Sequence, residues 1–236
     1  MRIRAVFFDL DGTLVRYQGV AYESSWGAIG LAAGVGKEWD ELLQHYRGKP
    51  DRYPDWVREN ARLLRGIPVR IVTEKIFPPP YAPGVPEAVA ALKRMGLILG
   101  IVSSGVSLVA ARVKNELGLD FFVANELVIS DGVFTGEAVI RVGLADKLTI
   151  VEKEAVRLGL NLTEIAFVGD HVNDIPVLRA VGLGIAYAPK DPKVAEAAHF
   201  VVEDFRQIPK LLCQVDGKAK EDQNAFYGWS GKRISP

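Results

Sequence analysis

The stretch RAVFFDLDGT, at positions 4–13, joins a short apolar run to two aspartates and a glycine. Similar apolar runs recur at Ile98 to Val102, Ile165 to Val168 and Leu183 to Tyr187. Short runs that are apolar throughout are typical of strands buried on both faces of a sheet. The sequence therefore predicts an internal sheet whose first strand stops at Asp9.

Helical patterns separate these predicted strands. One helix has Pro86 early in it and ends at Gly96, a second runs from about Val106 to Leu117, and a third from about Ala145 to Leu158. Alternating buried strands and amphipathic helices indicate the α/β fold class, with a doubly wound parallel sheet and right-handed crossovers.

One long segment interrupts this alternation. Residues 17–80 have helical patterning and no clear buried strand, so we expect a mostly helical insertion after the first strand. Residues 1–16 and 81–215 would then form the core domain. The polar residues 216–236 are expected to be a tail, either loose or docked on the body or on a second subunit.

A second, shorter interruption predicts a β-hairpin. The segment LVISDGVFTGEAV, Leu127 to Val139, places Asp131-Gly132 between two alternating runs. Such a dipeptide favours the tight turn that joins antiparallel strands.

The composition excludes several classes of partner. Lys and Arg number 29, as do Asp and Glu, so the formal net charge is zero and nothing draws the whole molecule to nucleic acid or an anionic membrane. No apolar run reaches the length of about 18 residues that a membrane span needs. The single Cys213 excludes an internal disulfide framework and a cluster of Cys zinc ligands. We expect a cytoplasmic monomer or homodimer.

Two acidic motifs follow predicted strands. Asp9 and Asp11 come directly after the first strand, and Asp170 and Asp174 belong to GDHVND at 169–174. Ligands bind at the carboxyl ends of parallel strands, and residues two apart on an extended segment point the same way. Four carboxylates gathered there repel one another unless a cation compensates them, and Mg²⁺ prefers oxygen ligands. The alternative for Asp9 and Asp11 is a solvated turn.

Other residues are candidates to bind a phosphate. Ser103 and Ser104 end a buried run where a helix begins, so hydroxyl and backbone N–H groups can converge on an anion. Gly12 is a further candidate in the first motif, and Lys147 offers a compact positive charge. Taken alone, Ser103 is more often a helix cap and Lys147 more often a solvated surface residue.

These motifs, in this order, resemble those of the haloacid dehalogenase-like superfamily, and within it the phosphoserine phosphatase-like branch. The matching features are DLDGT at 9–13, Ser103 after a strand, Lys147, and GDHVND at 169–174. The similarity is strongest from Ile101 to Leu178 and is loose in the helical insertion.

The resemblance implies a Mg²⁺-dependent phosphatase that acts on a small phosphate ester. Asp9 would be the nucleophile, and Asp11 the general acid and then the base. The carboxylates of Asp9 and Asp170 and the backbone carbonyl of Asp11 would bind the metal, supported by Asp174. Ser103 and Lys147 would hold the phosphate. The presence of Asp11 leaves a phosphatase or a phosphomutase, because the family's dehalogenases lack an acid there and its ion pumps carry a Thr.

Substrate recognition departs from the phosphoserine enzymes of that branch. Those enzymes bind the ammonium with a Glu and the carboxylate with a cap Arg, where this sequence has Gln18 and Asn60. A neutral Gln18 offers no ion pair to an ammonium, so a substrate other than phosphoserine is favoured. Phosphoserine is the alternative, followed by a phosphomutase activity or a catalytically silent scaffold. The candidate substrate residues are Gln18, Arg58, Asn60 and Asn173, with Arg62 close by, whereas His171 is expected to face solvent.

Overall fold

The strands form one seven-stranded sheet in the computed structural model, which describes residues 2–215. They are β1 (Ala5–Phe8), β2 (Ile98–Val106), β3 (Phe121–Ser130), β4 (Val133–Val139), β5 (Ile165–Gly169), β6 (Leu183–Tyr187) and β7 (Phe200–Val202). Their order is β4-β3-β2-β1-β5-β6-β7, and every pair is parallel except β3 with β4. The predicted α/β class is confirmed, while the predicted tail lies outside the described residues.

Helices connect the strands. They are α1 (Ser25–Ala32), α2 (Gly36–Tyr46), α3 (Tyr53–Leu63), α4 (Val69–Ile76), α5 (Val85–Arg94), α6 (Ser107–Leu117), α7 (Lys147–Arg157), α8 (Ile175–Ala180) and α9 (Pro192–Ala197). Residues 207–215 are also helical. The three helices predicted from the sequence correspond to α5, α6 and α7. Within residues 2–215 no helix has the length and apolar character needed to cross a membrane.

Strand β1 lies at the centre of the sheet and is buried on both faces. Val6 and Phe8 belong to one apolar cluster, whereas Ala5 and Phe7 belong to the other, as the two-residue period of a strand requires. Phe8 pairs in register with Ile101 of β2 on one side and with Val168 of β5 on the other. The ends of β1, β2 and β5 therefore meet at one edge.

The hairpin forms as predicted, with Asp131 and Gly132 both at positive φ between β3 and β4. The sequence analysis missed the first half of β3, which begins at Phe121 and pairs parallel with β2 before it enters the hairpin. It also missed β7, whose three residues are too few to show a pattern. In addition, β2 continues to Val106 through a register shift, so Ser103 lies within the strand.

Helices α1 to α4 come from the segment between β1 and α5. Trp26, Trp39 and Trp56 pack together there with ring centroids 5.4–6.4 Å apart. Hydrogen bonds tie this segment to the sheet: the Trp26 Nε1 donates to the Ser104 carbonyl at 2.9 Å, and the Gly66 amide donates to the Phe134 carbonyl at 2.8 Å. The helices are thus fixed beside the ends of the strands.

Candidate active site

Three carboxylates meet at the central strand ends. Asp9 directly follows β1, Asp170 directly follows β5, and Asp174 lies one turn further along the chain. One carboxylate oxygen from each of the three lies within 4.8 Å of the other two. We call Asp9, Asp170 and Asp174 the carboxylate cluster. It holds three of the four aspartates that the sequence analysis grouped.

Lys147 is buried against this cluster. As the first residue of α7 it is 1% exposed, so its alternative interpretation as a solvated surface residue does not apply. Its Nζ lies 2.5 Å from Asp174 Oδ1 and 3.1 Å from Asp9 Oδ1. Burial alone would lower the pKa of Lys147, but the charges of Asp174 and Asp9 outweigh burial and raise it. Lys147 is therefore a fixed positive charge.

One ammonium does not compensate the whole cluster. Burial raises the pKa of Asp170 to about 8, helped by the charges of Asp9 and Asp174 and opposed by a hydrogen bond from Thr13 Oγ1 at 2.6 Å. Burial also raises the pKa of Asp174. The Asp9 Oδ1 atom is buried and faces Lys147 without hydrogen-bond geometry. The site has the oxygen donors and the excess negative charge that suit a divalent cation.

Two glycines make room for these carboxylates. Gly12 has a φ of +81°, and a Cβ there would lie 2.3 Å from Asp170 Oδ2. A Cβ at Gly105 would lie 2.5 Å from Asp11 Oδ2. Any larger residue at either position would displace a carboxylate.

Asp11 lies apart from the cluster and has its own partner. The backbone N–H of Ser25 donates to Asp11 Oδ1 at 2.8 Å, and the Ser25 hydroxyl donates to Oδ2 at 2.7 Å. Burial raises the pKa of Asp11 to about 7, against the lowering effect of the Ser25 bonds. A carboxyl that titrates near neutral pH can both give and take a proton.

A cavity of about 340 Å³ opens over these strand ends. Six of the residues predicted from the sequence line it, and they are Asp9, Asp11, Ser103, Ser104, Asp170 and Asn173. Lys147, Asp174 and Gly12 lie outside the lining, next to Asp9 and Asp170. The Asn173 Nδ2 approaches the Ser104 Oγ at 3.5 Å, and the Ser103 Oγ accepts from the Gly105 amide at 3.0 Å.

A family model for haloacid dehalogenase-like hydrolases matches residues 6–179, which include every strand-end residue described above. The chain belongs to this family. The resemblance noted in the sequence is therefore confirmed, and the matched residues include the helical segment and strands β2 to β5.

The relatives of this haloacid dehalogenase-like hydrolase include curated phosphoserine phosphatases. The one from Methanocaldococcus jannaschii is 31% identical over 212 residues, covering 89% of this chain and 97% of the relative. The one from Archaeoglobus fulgidus is 33% identical over 189 residues, 80% of this chain but 53% of the relative. A solved structure of a phospho-aspartyl intermediate analogue of phosphoserine phosphatase has a TM-score of 0.74 at 30% identity, covering 89% of this chain and 99% of that one.

The structure does not bring Gln18, Arg58 and Asn60 to the cavity of this hydrolase. The exposed Gln18 donates to Glu23 at 3.2 Å. Arg58 lies on the outer face of α3, 3.3 Å from Asp55. Asn60 is fully buried one turn beyond Trp56 and donates to its carbonyl at 2.8 Å. Arg62 is exposed and lines a separate surface groove. Helix packing set these positions, which the motif spacing did not reveal.

His171 is exposed, as expected, yet it also lines the cavity. Its ring meets that of Tyr22 edge to face, with the centroids 5.7 Å apart. His171 follows a strand end and Tyr22 belongs to the helical segment, so this contact joins the two at the cavity.

Sequence reasoning missed several residues that hold the site together. Thr13 and Ser25 orient Asp170 and Asp11. Asn125 is fully buried and donates to the Ser104 carbonyl at 2.9 Å and to the Tyr53 hydroxyl at 3.1 Å. The pair Ser24-Ser25 at the start of α1 carried a helix-capping signal, whereas nothing in the local sequence marked Asn125.

Proposed function

We propose that this chain is a phosphatase that hydrolyses a small phosphate monoester through an aspartyl-phosphate intermediate at Asp9. One observation carries the proposal: a buried carboxylate, backed by a fixed ammonium and two further carboxylates, faces a small cavity. The similarity of the chain to a solved phospho-aspartyl intermediate analogue of phosphoserine phosphatase also supports it.

The metal in this proposal is Mg²⁺, held by Asp9 and Asp170, with the Asp11 carbonyl as a further ligand and with Asp174 in support. The donors are hard oxygens, which favour Mg²⁺ over softer metals. When bound, the ion supplies positive charge that reduces repulsion between the Asp9 carboxylate and an anionic phosphate.

In the first step, an Asp9 oxygen attacks phosphorus and forms an acyl phosphate while the bond to the alcohol breaks. Asp11 gives its proton to the departing oxygen, and its raised pKa of about 7 keeps part of the carboxyl protonated at neutral pH. Lys147 offsets the negative charge from behind Asp9.

In the second step, water attacks phosphorus and the bond to Asp9 breaks. Asp11, now a carboxylate, takes a proton from that water, so both aspartates return to their starting states. Ser103, Ser104 and Asn173 line the cavity and are proposed to hold the phosphate oxygens, with the backbone at Gly12.

We further propose that residues 17–80 act as a cap on a core of residues 1–16 and 81–215. The cap would shield the acyl phosphate from bulk water and contact the leaving group. The hydrogen bonds from Trp26 and Tyr53 to the Ser104 carbonyl support this arrangement. The partner is the small ester, because a zero net charge gives no general attraction to nucleic acid.

The test is hydrolysis of para-nitrophenyl phosphate by the purified protein. We expect turnover with Mg²⁺, none in excess EDTA, and a loss of at least about 10⁴-fold in Asp9→Asn, as for removal of a nucleophile. Asp131→Asn, the same change in the hairpin turn, is the matched control and should keep full activity. Turnover that survives in EDTA or in Asp9→Asn would contradict the proposal.

Phosphoserine is a second candidate substrate. It is favoured by the curated phosphoserine phosphatases that are 31% and 33% identical to this chain. Direct comparison of phosphoserine with other alkyl phosphates decides between it and a different ester.

A further inference from the structure

We propose that the ester cleaved here carries an apolar group of about the size of a phenyl ring on its alcohol, and that this group lies against an aromatic wall of the cavity. The inference rests on the proposed phosphatase function and adds the class of leaving group to it.

The helical segment contributes eleven residues to the lining of the cavity. Five of them are Ser24, Arg47, Gly48, Lys49 and Pro50. The other six are aromatic residues or leucine, and we call them the aromatic wall: Tyr22, Trp26, Leu43, Tyr46, Tyr53 and Trp56. This wall faces the strand-end residues across a cavity of about 340 Å³, a volume suited to a small ligand.

Most of the polar side-chain atoms of the aromatic wall form hydrogen bonds within the protein. The Trp26 Nε1 and the Tyr53 hydroxyl both donate to the Ser104 carbonyl, at 2.9 and 2.6 Å. The Tyr46 hydroxyl bonds with the Glu59 carboxylate. These groups are held away from a ligand, so what they offer it is aromatic surface, whose burial by an apolar group is favourable.

One buried polar atom of the wall has no partner. The Trp56 Nε1 is buried without a hydrogen bond among the described residues. It is a donor, so it offers nothing to an ammonium group, which also donates.

The charges at the cavity also oppose a cationic leaving group. Its acidic lining residues are the aspartates of the strand ends, and the helical side contributes no carboxylate to the lining. Two acids are adjacent in sequence to wall residues, and both are paired with cations. Glu23 lies 3.1 Å from Arg16 and 3.0 Å from Lys190, and Asp55 pairs with Arg52 and Arg58. Arg47 and Lys49 lie exposed at the rim. An ammonium group on the alcohol would therefore find no counter-charge on the helical side and would meet two cations there.

Aromatic rings can also bind a quaternary ammonium by enclosing it with their faces. Here the rings pack on one another instead: Tyr53 stacks on Trp56 at 5.6 Å, and Trp56 meets Trp26 edge to face at 5.4 Å. This arrangement is a continuous wall rather than an enclosure, and it favours a neutral apolar group.

The experiment compares 2-phenylethyl phosphate with ethyl phosphate, whose alcohols are nearly equal as leaving groups. We expect kcat/KM for 2-phenylethyl phosphate to exceed that for ethyl phosphate by about tenfold or more, as burial of a phenyl group predicts. O-phosphoserine and phosphocholine should be no better than ethyl phosphate. A ratio near one, or a preference for phosphoserine or phosphocholine, would overturn the inference.

A matched pair of variants on α2 tests whether the preference for the phenylethyl ester depends on the aromatic wall. Leu43 and Leu42 are neighbours and both are half-buried, but Leu43 lines this cavity whereas Leu42 lines a separate surface groove. Leu43→Asp should lower the phenylethyl-to-ethyl ratio at least about fivefold, because it puts a charge on the apolar wall. Leu42→Asp should keep the ratio. Equal ratios in both variants would contradict a role for the wall.

Binding of an analogue that cannot be hydrolysed tests this inference separately from the proposed function. The phosphonate 3-phenylpropylphosphonate cannot be hydrolysed, and its binding can be followed by tryptophan fluorescence in the presence of Mg²⁺. We expect it to bind about tenfold tighter than propylphosphonate. Tight binding without turnover of any ester would overturn the phosphatase proposal alone, whereas turnover without this difference would overturn the inference alone.

Discussion

The two sides of the cavity differ in how they are built. The strand-end side carries buried charges fixed by sheet register, since Asp9 and Asp170 directly follow two strands paired in register. The aromatic wall carries no carboxylate, has most of its polar atoms bonded within the protein, and is held by ring packing among α1, α2 and α3. The strand-end side can therefore carry the reaction that is common to all esters, and the aromatic wall can carry the selectivity for one ester.

This difference predicts two kinds of mutational effect. Changes at the strand ends should lower kcat for every alkyl ester by a similar factor. Changes in the aromatic wall should alter the ratio between esters. A strand-end variant that changed the ratio strongly would break the distinction.

The largest effect in this series is expected for Asp11→Asn. An amide cannot pass a proton, so hydrolysis of both ethyl and 2-phenylethyl phosphate should fall by about 10²–10⁴-fold. The loss should be smaller for para-nitrophenyl phosphate, because nitrophenolate leaves without a proton. The kcat/KM values of the three esters check this, because they report the steps up to release of the alcohol and not the later attack of water. An equal loss of kcat/KM for all three would contradict Asp11 as the acid in the first step.

Lys147→Met should lower kcat by about 10²–10³-fold, because it removes the fixed positive charge behind Asp9. The control is Lys153→Met on the exposed side of the same helix, which should change kcat by less than about twofold. The phenylethyl-to-ethyl ratio should stay constant in both variants. Activity equal to that of the control would show that the charge of Lys147 is not needed.

Asn125→Ala tests the hydrogen-bond network that connects the two sides of the cavity. Its amide bonds the Tyr53 hydroxyl on one side and the Ser104 carbonyl on the other, and its Oδ1 accepts from the Val142 amide at 2.9 Å. Removing this buried group should cost about 2–4 kcal/mol in the free energy of unfolding. Chemical denaturation measures this cost, with the exposed Asn115→Ala as a near-neutral control. A loss equal to that of the control would show that the network does not hold the two sides together.

The smallest effect is a shift in the pH profile. The Ser25 hydroxyl lowers the pKa of Asp11, so Ser25→Ala should raise that pKa further above its value of about 7. The acid form then survives to higher pH, and the alkaline limb of kcat/KM for ethyl phosphate should move up by about one unit or less. Ser107→Ala, at the first residue of α6, is the control and should leave the pH profile unchanged. A shift to lower pH would contradict this assignment.

The sequence predicted the strand-end side well because its signals are local. An apolar run, a following aspartate and a glycine lie within ten residues, and parallel pairing then brings Asp9 and Asp170 together without further information. The same logic placed Ser103 at this edge, although β2 continues past it.

The aromatic wall was not predictable in the same way. Gln18 and Asn60 were chosen by alignment with the phosphoserine enzymes, and Arg58 because it lies close to Asn60 in the sequence. The direction of each side chain, however, depends on how the helices of this segment pack. Trp26, Trp39 and Trp56 were visible in the sequence as members of one helical segment. Which of their surfaces faced a ligand could be read only from the tertiary structure.

The central claim is that Asp9 accepts the phosphoryl group, and it can be tested by trapping. The protein is mixed with Mg²⁺ and an alkyl phosphate, quenched during turnover and treated with borohydride, which reduces an acyl phosphate to an alcohol. Peptide mass spectrometry should then find homoserine at position 9, and none in Asp9→Asn. Homoserine at another aspartate, or unmodified Asp9 in samples quenched while product is forming, would contradict the account.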